Sequence, residues 1–72
     1  MALKKLNDEV CIKVSYLTAL IFVNGVNIGS IYPKGLSEEF VFELIKETLC
    51  GEGVNTSKEE IRMAAEWLVK LF

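Results

Sequence analysis

The sequence predicts an α+β domain. A three-stranded antiparallel β-meander over about residues 9–32 is followed by two α-helices, about 37–50 and 57–72, packed on one face of the sheet. Three observations carry that expectation. β-Branched and aromatic residues dominate from Val10 to Tyr32 and alternate with polar or small ones, as in half-buried strands. Asn24-Gly25 interrupts this region with the residue pair favoured in a type I′ hairpin, which needs positive φ at both central positions. Beyond Ser37 the apolar residues recur three and four apart, the period of a helix packed along one side.

Residues 1–8, MALKKLND, read as a short N-terminal arm. In the first strand Val10, Ile12, Val14 and Tyr16 alternate with Cys11, Lys13 and Ser15. A second apolar run spans Leu17 to Val23, and a third spans Val26 to Tyr32, before Pro33-Lys34-Gly35. The join between the first two runs carries no turn signal. One long bent strand, two strands or a helix over residues 8–23 all remain open there. Gly29, inside the third run, marks a bulge or a close-packing site.

Ser37 is suited to cap the first helix, Glu38 and Glu39 complement its dipole, and Gly51 stands where a terminating glycine is expected. Phe40, Val41, Leu44, Ile45, Thr48 and Leu49 form its inward face, which Phe42 widens. A capping box, Thr56 with Glu59 or Ser57 with Glu60, starts the second helix. Apolar residues from Ile61 to Phe72 cover roughly two-thirds of that helix's circumference, against a polar stripe of Glu59, Arg62, Glu66 and Lys70. One small sheet cannot bury so wide a face. The second helix is expected to lie between its own sheet and another surface.

Seventy-two residues make one domain, close to the size at which a single core is barely self-sufficient. A hydrophobic content of 51% is high for so small a chain and points to self-association. The net charge of −2 is divided unevenly: residues 1–36 hold four lysines against Asp8 and Glu9, whereas residues 37–72 hold four basic and eight acidic groups. Lys4, Lys5, Lys13 and Lys34 are too scattered for the basic face that phosphate binding requires. The chain has no histidine and no Cys-x-x-Cys, which argues against a structural metal site. Cys11 and Cys50 are expected to be buried thiols, although a disulfide between them remains open. The apolar stretch from Val14 to Val23 is about half the length a bilayer needs. Acidic and polar residues interrupt the place where a signal segment's apolar run would begin. A cytoplasmic protein without membrane contact is the expectation.

Two stretches resemble known families. TALIFVNGVNIGS resembles the strand-turn-strand late in glutaredoxin-type thioredoxin folds, and that resemblance implies a special proline and a redox Cys-x-x-Cys. Ala19 stands at the proline's place and the motif is missing, so the stretch is read as a hairpin. GVNTSKEEIRMAAEWLVKLF resembles the second helix of ribbon-helix-helix DNA-binding proteins, with Gly53, Thr56, Ile61, Arg62 and Ala64 at matching positions. LSEEFVFELIKETL would serve as that family's first helix. The resemblance implies an obligate dimer whose paired strands enter the major groove. The strand in question would be VNIGSIY, whose Asn27, Gly29 and Ile31 are poor readers of base edges.

No nucleophile with a matching base, and no pocket for paired carboxylates, is evident in the sequence. The reading is a small non-catalytic interaction or regulatory protein needing no cofactor or metal, acting through an apolar helix face. Its partner is a second copy, as a homodimer, or a larger protein. Phe42, Met63, Trp67 and Leu71 are the candidate interface residues. A ribbon-helix-helix-like DNA-binding regulator is the alternative.

Overall fold

A computed structural model describes residues 2–72 of the chain. Among these residues four strands precede two helices: β1 (Ala2–Lys5), β2 (Val10–Ser15), β3 (Thr18–Val23), β4 (Val26–Ile31), α1 (Glu38–Gly51) and α2 (Lys58–Leu71). The strands form one antiparallel sheet in the order β1-β2-β3-β4. The class is α+β as expected, with one strand more than the sequence announces. The extra strand lies in the N-terminal arm, whose Met1 falls outside the described residues. ALKK has no β-branched residue to advertise a strand. The chain nevertheless reverses there because the Asn7 side-chain carbonyl accepts the N–H groups of Glu9 and Val10, at 2.8 and 2.9 Å. Leu6 N–H then donates to the Val10 carbonyl at 2.9 Å, bringing β1 alongside β2.

The open join between the first two runs is a two-residue hairpin loop, since Ser15 pairs with Thr18 across Tyr16-Leu17. Tyr16 takes φ 61° there without any glycine or asparagine to ease it. The second hairpin forms as its residues dictate: Asn24 and Gly25 have φ 50° and 81°. Along β4 the register slips, with Ile21 opposite Gly29 but Phe22 opposite Asn27, so Ile28 is the extra residue of a bulge.

Leu36 N–H donates to the Pro33 carbonyl at 3.0 Å, and Gly35 at φ 84° completes the turn that aims the chain into α1. The Ser37 hydroxyl accepts Phe40 N–H at 3.2 Å as the predicted cap. At the other end Gly53, not Gly51, is the terminating glycine. Gly51 is still helical, whereas Gly53 has φ 70°. Gly53 N–H donates to the Cys50 carbonyl and Val54 N–H to the Leu49 carbonyl, each at 3.0 Å, the paired bonds of a Schellman motif. For α2 the capping box is Ser57 with Glu60, the two reciprocal bonds measuring 3.1 and 3.0 Å.

Both helices lie on the face of the sheet that presents Val10, Ile12, Ala19 and Ile21, all buried. α1 contributes Val41, Phe42, Ile45 and Leu49 to this core, and α2 contributes Ile61, Ala64, Ala65 and Leu68. Burying one Leu or Ile side chain in this way stabilises by about 1.5–3 kcal/mol. Gly29 lets α1 come close to β4: a Cβ built there would sit 2.9 Å from the Thr48 methyl. Thr48 cannot easily turn aside, because its hydroxyl donates to the Leu44 carbonyl at 2.8 Å. The bulge and the close approach expected around Gly29 therefore occur side by side.

Candidate interaction surface

The geometry of α2 separates its apolar residues into two groups. Ile61, Ala64, Ala65 and Leu68 point into the core. Met63, Trp67 and Leu71 follow one another at i, i+4 and i+8, so they form a stripe along one flank. Met63 is 57% and Leu71 47% exposed, while Trp67 is half-buried against the edge of the core. The opposite flank of α2 is occupied by α1, because Arg62 reaches across to it. Arg62 Nη1 donates to Glu39 Oε2 at 2.9 Å, and its guanidinium lies 4.1 Å from the centre of the Phe42 ring. Glu39 is 69% exposed, so the ion pair itself adds little. The guanidinium lying over Phe42 closes the core at that corner.

Of the four residues expected to meet a partner, the structure therefore brings three together and sets one apart. Phe42 is a core residue, 4% exposed and covered by Arg62, and offers no surface for docking. Its place at the margin of the apolar arc suggested exposure. The covering side chain comes from another helix, a contact that helical periodicity does not encode. The reading missed Phe40, which is 53% exposed at the start of α1.

A second surface becomes visible only through the strand register. Nothing among the described residues covers the face of the sheet turned away from the helices. Leu3 pairs with Lys13, which pairs with Leu20; Lys5 pairs with Cys11, which pairs with Phe22. These rows place a patch of apolar side chains and two lysines on that face, with Lys13 Nζ 5.3 Å from the Phe22 ring centre. At one end of the patch Leu3, Lys5, Asp8 and Cys11 border a shallow hollow of ≈ 380 Å³. Cys11 and Cys50 are free thiols, the first half-buried on this face and the second exposed, rather than buried as expected.

Other chemistry finds less support in the geometry. Among the described residues no group of three or more His, Cys, Asp or Glu side chains is placed to hold a metal ion, and no helix is long and apolar enough to cross a membrane. β4, the strand before the helices, pairs with β3 of its own chain. The ribbon-helix-helix resemblance calls instead for a strand paired across a dimer. Of the matched positions, Gly53 serves the turn, Ile61 and Ala64 the core, and Arg62 the contact with Phe42, so four of the five have structural tasks here. The Thr56 hydroxyl is buried without a partner. Comparison of the chain with protein-family models, with curated proteins and with solved structures finds no significant match.

Proposed function

We propose that this is a small non-catalytic interaction protein that associates with a second copy of itself through the Met63–Trp67–Leu71 flank of α2. The observation that carries the reading is one continuous helical stripe of three large apolar residues, with Met63 and Leu71 exposed on either side of the half-buried Trp67, on a chain with few residues to spare for its core. Methionine and tryptophan are residue types enriched at protein contacts, where one large side chain gives up its hydration on binding. A shallow 280 Å³ groove lined by Lys58, Glu59, Arg62 and Met63 adjoins the stripe at its Met63 end.

Trp67 is the only tryptophan, so its emission reports on this flank alone. Dilution of the protein is expected to move that emission to longer wavelength as the half-buried indole gains water. The double variant Met63→Ser/Leu71→Ser is expected to show the diluted spectrum at every concentration. These two positions are preferred to Trp67→Ala because both are exposed and contribute little to the core. An emission maximum that never changes with concentration would refute the reading.

A further inference from the structure

We propose that the second copy also docks along the free edge of β1, so that one two-fold contact joins stripe to stripe and β1 to β1 in a continuous antiparallel sheet. The proposal rests on the reading of the stripe as a self-contact and adds the strand edge beside it. α1 lies over β4, where Thr48 meets Gly29. α2, buried along Ile61, Ala64, Ala65 and Leu68, is therefore the helix over the β1 side of the sheet. Its flank turned away from α1 carries the stripe. Met63, Trp67 and Leu71 thus line the same side of the molecule as the open edge of β1. A two-fold axis on that side brings each of the two surfaces against its own counterpart, as a symmetric dimer requires.

The two edges of the sheet are not equivalent. β4 carries the bulge at Ile28, a device that spoils edge pairing, and lies on the far side from the stripe. β1 keeps an unbroken register against β2 from Ala2 to Lys5, and among the described residues no other backbone bond reaches it. Its outer N–H and C=O groups are therefore free to extend the sheet. Leu3 stands opposite Lys13 on the open face, whereas Ala2 and Lys4 stand opposite Val14 and Ile12 on the helix side. Directly opposed residues share a face, so with most of the four-residue strand paired, Leu3 opposes either Leu3 or Lys5 of the second copy. The latter register would set the two Lys4 side chains directly against each other, an unfavourable pairing of like charges. The former sets Leu3 against Leu3, and each Lys4 against the second copy's Ala2. That small side chain leaves room for the lysine stem to carry its charge out to water.

Disulfide trapping tests this directly. A Cys11→Ser/Cys50→Ser background removes both native thiols, and Leu3→Cys then puts one thiol from each chain at the centre of the contact. Opposed Cα atoms in an antiparallel pair lie about 4.5–5.5 Å apart, within the span of a disulfide. With oxidised glutathione as the oxidant, Leu3→Cys is expected to shift to the two-chain mass on a non-reducing gel, while Lys5→Cys stays at one chain. Adding Met63→Ser/Leu71→Ser is expected to abolish the shift, and circular dichroism verifies that each variant retains the fold. If Leu3→Cys stays at one chain while light scattering shows the parent associating through the stripe, the edge contact is wrong and the stripe reading stands. Equal linking of Leu3→Cys and Lys5→Cys, or linking that survives loss of the stripe, overturns the joint contact. A parent with the mass of one chain at every concentration removes both proposals.

Discussion

Tyr16 holds φ 61° at the tip of the β2–β3 hairpin with its side chain 98% exposed. A bulky residue in that backbone region costs about 1–2 kcal/mol, and here no packing offsets it. Tyr16→Asn, which tolerates the conformation, is expected to raise the unfolding free energy by about 0.5–1 kcal/mol in urea titration. No gain would mean that the tyrosine supports the hairpin in some other way. Residue type explains why one hairpin was legible and the other was not. Asn24-Gly25 states its turn openly, whereas Tyr16-Leu17 adopts one through the demands of the strands on either side. The cap at Ser57 was narrowed to two candidates and the structure selects one. Gly51 and Gly53 are both placed to end a helix, and only backbone geometry decides between them.

At the scale of elements, the position of α1 on the sheet depends on the missing side chain of Gly29. Gly29→Ala is expected to cost about 1–3 kcal/mol of stability, because its methyl meets the Thr48 methyl at 2.9 Å and Thr48 is held by its own hydrogen bond. Thr48→Ser removes that methyl and keeps the hydroxyl. The double variant should therefore recover most of the loss, measured against Thr48→Ser alone; simple additivity in the double-mutant cycle would contradict the contact. Both helices were legible because their caps and their three-and-four spacing agree. β1 was not, since ALKK carries neither alternation of hydrophobicity nor β-branched residues, and pairs through backbone bonds initiated by Asn7. The apolar stripe was legible for the same reason as its helix: Met63, Trp67 and Leu71 share one flank by spacing alone. Phe42 was misplaced because Arg62, distant in sequence, covers it.

The whole molecule is a two-layer domain with one layer short. Its helices shield a single face of the sheet, and the other face is left with apolar side chains and lysines. That arrangement could not be read along the chain. Lys5, Cys11 and Phe22 become neighbours only once the register is known, and the fourth strand that supplies Leu3 and Lys5 had no sequence signal. The uneven charge was visible, and the fold gives it a direction: positive strands on one side, acidic helices on the other. A core this small gains from a second copy both by covering apolar surface and by mass action on the folded state. The central claim is that the α2 flank is a contact surface, and absolute mass in solution across a concentration series tests it most directly. The account predicts a mass above one chain that rises with concentration and falls to one chain in Met63→Ser/Leu71→Ser. A mass of one chain at every concentration would contradict it.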